Sequence, residues 1–144
     1  MKSVLKKSII VFLILCLLSC SALAIYNPPD SQEASSYIAA SSASVKSGGA
    51  GKLKVEFIVY GTNTMSSIGA TTIRIYKSNG TYVTTIRYTD TGRSGMMGYS
   101  TSYHSDCETI NVASGSYYAK VYVYARNASG YDEITHTTGT VTIS

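Results

Sequence analysis

The chain has 144 residues, of which 44% are hydrophobic and 14% charged, with thirteen Tyr, no Trp and a formal charge of +4. That length points to one domain at most. Lys2, Lys6 and Lys7 lie in the first residues, and without them nine Lys and Arg face eight Asp and Glu, near +1, which excludes the concentrated basic footprint of a nucleic-acid-binding domain.

Residues 1–24 read as a signal peptide. The three lysines form a basic start, Ile9 to Leu18 is an unbroken apolar run, and Ala22-Leu23-Ala24 supplies the small-x-small pattern of a cleavage site. The run is about half the ~20 residues that span a bilayer, so no transmembrane span is expected after processing. Leu17-Leu18-Ser19-Cys20 supports a second reading, because it resembles the lipobox of bacterial lipoproteins and would make Cys20 a lipid attachment point. Cleavage after Ala24 is favoured. It leaves Cys107 as the single cysteine, so no internal disulfide forms and the domain must rely on its core.

Residues 25–36 carry both prolines and read as a flexible tether before a domain over 37–144. A first edge strand is expected over 37–46, followed by a turn at Gly48-Gly49-Ala50-Gly51. Over 52–62, Leu53, Val55, Phe57 and Val59 alternate with Lys54, Glu56, Ile58 and Tyr60, the pattern of a half-buried strand. Residues 63–69 read as a connection with one helical turn. A strand over 70–77, with Ile73 and Ile75 inward, meets a strand over 81–89 across Ser78-Asn79-Gly80, where Asn-Gly predicts a type I′ hairpin. Residues 90–105, with Gly92, Gly95 and Gly98 around Met96-Met97, read as a long loop or broken edge strand. A strand over 106–113 and a turn at Ser114-Gly115 follow. Over 117–127, Tyr117, Ala119, Val121, Val123 and Ala125 share one face, and Tyr118, Lys120, Tyr122, Tyr124 and Arg126 share the other. After Ala128-Ser129-Gly130 comes a last strand over 131–143, broken near Gly139. About seven short strands joined by tight turns predict an all-β, antiparallel β-sandwich.

The run from Tyr117 to Gly130 resembles the penultimate strand of fibronectin type III and related immunoglobulin-like domains. Alternating small apolar residues there lead into Ala125, Asn127 and Gly130 before the last strand. Over most of the remaining chain, Ser36-Tyr37-Ile38-Ala39-Ala40, Ile68-Gly69-Ala70, Ile75 to Gly80 and Gly95-Met96-Met97-Gly98 resemble a family of small exported proteins of Gram-positive bacteria without an assigned activity. The resemblance implies export and an immunoglobulin-like β domain, and it transfers no catalytic residues.

A nucleophilic enzyme needs a nucleophile, a base and an orienting group brought together. Only His104 and His136 supply the usual base, and no Gly-x-Ser-x-Gly elbow is present. Cys107 and His104, three apart on a strand, point to opposite faces. Asp90, Asp106, Glu108, Asp132 and Glu133 are the candidates for a paired-carboxylate hydrolase, and read better as solvated rims. His104, Asp106 and His136 could converge in a small secreted hydrolase or metal site, though without diagnostic spacing. Met96 and Met97 could ligate a soft metal, and read better as core plugs.

The favoured reading is a non-enzymatic extracellular binding or adhesion module with no cofactor. Its contact residues are Tyr118, Tyr122, Tyr124, Tyr76, Lys120 and Arg126, joined from neighbouring strands by Tyr60 or Tyr88. A rigid aromatic stripe beside cations stacks on sugars or anchors a protein. The expected partner is an extracellular glycan, cell-wall component or protein. The 92–104 segment, with Met96, Met97, Tyr99, Tyr103 and His104, is a second candidate surface. A self-associating structural protein whose edge strands pair is the remaining alternative.

Overall fold

Val, Ile, Tyr and Thr in period-two alternation drive the backbone into strands. The computed structural model, which describes residues 35–144, consists of strands apart from one short 3₁₀ turn, Ser94–Met96. The signal peptide expected over 1–24, with Cys20, and the expected tether up to residue 34 lie outside the described residues. The strands are β1 (Ile38–Ser47), β2 (Lys52–Lys77), β3 (Tyr82–Arg87), β4 (Met97–Asn111), β5 (Gly115–Asn127), β6 (Gly130–Thr137) and β7 (Val141–Ile143). Every pairing is antiparallel.

The seven antiparallel strands agree with the sequence reading, but they join in one strongly curled, half-barrel sheet instead of two separate ones. The reason is β2. Its first half is flanked by β1 on one edge and β4 on the other, and its second half by β5 and β3. The connection expected over 63–69 does not exist, because β2 runs unbroken for 26 residues. That stretch is polar and has weak strand propensity. Met65 and Ile68 nevertheless turn fully inward, and Ser67 to Gly69 are paired on both edges, to Tyr99–Met97 of β4 and to Arg126–Tyr124 of β5. Tertiary pairing overrides local preference here. Register shifts between Tyr60 and Met65 and between Ala70 and Thr72 mark irregularities along β2, the kind of bulge that bends and twists a strand.

The concave face holds the core. Leu53, Val55, Phe57, Val59, Ile73 and Ile75 of β2 pack with Tyr117, Ala119, Val121, Val123 and Ala125 of β5, as their alternation predicts. Tyr117 is buried, and its hydroxyl donates to the Ala113 carbonyl at 2.8 Å, so its polar tip is satisfied. Gly69 permits a close crossing: a Cβ there would sit 2.1 Å from the Met96 carbonyl oxygen.

Two local expectations need correction. The β2–β3 hairpin is not a type I′ turn. Gly80 N–H donates to the Lys77 carbonyl, Gly80 has φ +86°, and Asn79 is not left-handed. This is a turn followed by a left-handed glycine, with the ladder shifted between Ile75 and Tyr76. Residues 90–105, expected as a long loop or broken edge strand, divide: 90–96 form turns and the 3₁₀ turn, whereas 97–105 open β4, whose later part is the strand expected over 106–113. The inward positions of β4 are Ile110, Glu108, Asp106 and His104, opposite Leu53, Val55, Phe57 and Val59. Over 97–105 the exposed Tyr99 and Tyr103 and the inward His104 give no apolar alternation, which hides this part of the strand. The segment leading into β4 partners its inward polar groups: Arg93 pairs with Glu108, and His104 Nε2–H donates to the Gly95 carbonyl at 2.7 Å.

The two ends of the sheet, β1 and β6, meet through polar bonds. Ser41 Oγ and His136 Nε2 are 2.8 Å apart in the interior, and the Tyr37 N–H donates to Asp132 Oδ2 at 2.8 Å.

Candidate functional site

The convex face of the second half of the sheet carries the predicted stripe. Burial of Val121 and Val123 forces Tyr122 and Tyr124 outward. Cross-strand register then decides the neighbours. Tyr76 of β2 lies opposite both Tyr118 of β5 and Tyr82 of β3. The Tyr76 and Tyr118 rings stack with centroids 5.2 Å apart and 14° between planes, and Tyr82 meets Tyr76 edge-on at 5.9 Å. Three rings thus form a row across three strands. At the far end of β5, Tyr124 packs against Tyr131 of β6 at 5.6 Å. Tyr118, Tyr122 and Tyr124 of β5 are half-buried, whereas Tyr82 and Tyr131 are 56% and 63% exposed.

The cations sit among the rings. Arg74 lies directly opposite Lys120 in the β2–β5 register. The Arg74 guanidinium is 5.2 Å from the centre of the Tyr122 ring, and Lys120 Nζ is 5.8 Å from the centre of Tyr76, within the range of cation–π attraction. Arg126 extends the same β5 face, and Arg87 lies opposite Thr72. Among the described residues the ion pairs are Lys46–Glu56 and Arg93–Glu108, so none of these four cations is neutralised by a carboxylate. Glu133, opposite Tyr124, accepts the Thr71 hydroxyl at 3.1 Å.

The structure brings together Tyr76, Tyr118, Lys120 and Tyr122, and places Tyr124 and Arg126 further along the same face. Tyr60 does not join them: it lies in the first half of β2 and pairs with Tyr103 at 5.0 Å. Tyr88 packs against the core. Sequence reasoning missed Tyr82 and Tyr131. Their signal was their place just beyond the turns after Tyr76 and Tyr124, where a hairpin folds them back beside those rings.

The second candidate surface changes character. Met96 and Met97 are buried, so they plug the core and offer no contact. Tyr99 and Tyr103 are exposed, on β4. His104 faces inward, 6.1 Å from the Phe57 ring. His104, Asp106 and His136 do not converge: the first two lie on β4, while His136 of β6 is bonded to Ser41 of β1. Among the described residues no group of three or more His, Cys, Asp or Glu side chains could hold a metal, and no helix is long and apolar enough to cross a membrane.

Cys107 lies on the opposite side of β4 from His104, beside a shallow depression of about 310 Å³ lined by Glu56, Phe57, Ile58, Ser105 and Asp106. Partial burial, reinforced by the Glu56 carboxylate, pushes its thiol above the ordinary value, which weakens it as a nucleophile at neutral pH. No family model matches the chain, and no curated protein matches it in sequence.

Proposed function

We propose that this protein is an exported, non-enzymatic binding module that engages an extracellular partner through the tyrosine face of β3, β2, β5 and β6. The observation that carries the reading is the ordered row Tyr82–Tyr76–Tyr118 with Arg74 and Lys120 beside it. Packed rings lose little side-chain freedom when a partner lies on them, and each presents a broad apolar face with a polar tip. The leader supports export, with release after Ala24 or retention on the membrane through a lipid on Cys20.

An immunoglobulin-like ancestry belongs to the same proposal. It rests on the Ala125, Asn127 and Gly130 ending of β5, and on Tyr117, whose hydroxyl donates to backbone four residues upstream, as a tyrosine corner does. In this reading the curl of β2 brings its two halves face to face in the manner of a sandwich.

An array of glycans, cell-wall fragments and extracellular proteins, probed with the wild type and with Tyr122→Ala/Tyr124→Ala and Tyr76→Ala/Tyr118→Ala variants, tests the reading. Signals lost in at least one variant are expected. Equal signals from all three proteins, or none from any, would remove the face as the binding surface.

A further inference from the structure

The Arg74–Lys120 juxtaposition calls for an explanation. Like charges directly opposite each other on adjacent strands repel, and neither Arg74 nor Lys120 forms an ion pair with a carboxylate among the described residues. Each leans instead toward a tyrosine ring, Arg74 toward Tyr122 and Lys120 toward Tyr76. The aromatic row Tyr82–Tyr76–Tyr118 lies two residues further along the same strands, about 7 Å away by strand geometry. Two surfaces of different chemistry are therefore adjacent: flat rings, and a pair of cations that have no ion-pair partner among the described residues.

Resting on the tyrosine-face reading above, we infer that the partner is an acidic polysaccharide. Its sugar rings lie on the tyrosine row, and its carboxylate, sulfate or phosphate groups neutralise Arg74 and Lys120. A neutral glycan would use the rings and leave the repelling cations as they are. A protein partner needs a larger apolar centre than this polar, Thr-rich face supplies. A single-stranded nucleic acid would also stack and neutralise charge, but its backbone is usually tracked by a continuous basic groove. Here the cations are paired at one register position and interleaved with threonines.

Affinity electrophoresis of the full chain, expressed with its own leader, through gels carrying polygalacturonate, heparin or dextran tests the inference. Oligo-dT serves as a competitor. Retardation is expected in both acidic gels and not in dextran, weakening as salt rises. Arg74→Gln/Lys120→Gln and Tyr76→Ala/Tyr118→Ala are each expected to lower affinity by about tenfold, the loss of one modest contact. Lys54→Gln, on the other half of the sheet, should leave it unchanged. The double Gln variant removes a repulsion and is expected to fold at least as well as the wild type, which thermal melting checks.

Equal, tyrosine-dependent retardation in dextran would overturn the acidic partner while leaving the tyrosine-face reading intact. A loss in the Gln variant without one in the tyrosine variant, or an equal loss in Lys54→Gln, would reduce the effect to general charge attraction and overturn the site. Competition by oligo-dT as strong as by polygalacturonate would replace the glycan with nucleic acid. No retardation in any gel would overturn the inference alone, since the array tests the broader reading independently.

Discussion

Ser41 Oγ and His136 Nε2, 95 residues apart in sequence, lie 2.8 Å from each other in the interior and tie the first strand of the sheet to the sixth. Removing one partner of a buried hydrogen bond costs about 1–3 kcal/mol. Ser41→Ala and His136→Ala are each expected to lose that much in urea unfolding. The double variant should lose less than the sum, because both changes remove the same bond. Full additivity would show that the two side chains contribute separately.

Glu108 sets a pH dependence. Its side chain is 7% exposed, and burial raises its carboxyl above the ordinary value of 4.5 more than the Arg93 guanidinium lowers it. The folded protein therefore holds this proton at a pH where the unfolded chain has released it. Stability from this group is fully present at low pH and falls as pH rises from about 4.5 through the raised folded value. Glu108→Gln is expected to flatten that decline in melting temperature. Arg93→Ala should steepen it and cost about 1–3 kcal/mol at neutral pH. A decline of the same slope in Glu108→Gln would assign it to other groups.

Cys107 is exposed, but its thiol is raised above 9.0 by partial burial and by Glu56. Alkylation by iodoacetamide is expected to be slow at pH 7, to increase about tenfold per pH unit as pH rises from there toward 9, and to be still rising beyond pH 9, following the thiolate fraction. Glu56→Gln should shift the profile to lower pH. A rate already at its plateau at pH 8 would contradict this.

Gly69 has no room for a side chain. With a Cβ 2.1 Å from the Met96 carbonyl oxygen and 2.9 Å from Met97 Cα, Gly69→Ala requires backbone to move. A loss of about 3 kcal/mol or more is expected. Gly80→Ala, where nothing lies within 4 Å but φ is +86°, should cost only about 1 kcal/mol, from the left-handed backbone alone. Comparing the two melting temperatures checks whether collision outweighs conformation.

The stacked pair Tyr76 and Tyr118 is expected to contribute about 0.5–1.5 kcal/mol of coupling in a double-mutant cycle with alanine. Values near zero would mean that the rings share a face without supporting each other.

The strands with clean alternation were legible. Leu53 to Val59 and Tyr117 to Ala125 occupy the faces their period assigns, because a buried face tolerates only one phase. Part of what escaped has a common cause: apolar patterning reports only burial against apolar neighbours. In β4 the part over 106–111 was legible although Asp106 and Glu108 face inward, whereas 97–105, whose inward His104 bonds to the backbone of Gly95, lacks apolar alternation and reads as a loop or broken edge strand. Between Gly61 and Gly69 the strand signal is diluted by Ser, Thr and Asn, and pairing on both edges supplies what propensity lacks. The tyrosine face was readable along β5. Its partners Tyr82 and Tyr131 depended on hairpin register, and the opposition of Arg74 and Lys120 is a cross-strand fact that no single strand encodes.

The 26-residue β2 has a consequence for how the molecule comes apart. Four of the other six strands take their register from it, so neither half possesses a spine of its own and there is no seam along which one could detach. Amide exchange in the middle of β2 should therefore proceed only through whole-molecule opening, at one common free energy for both halves. A break in the backbone near Asn63 would dissolve the tyrosine face as surely as one within it.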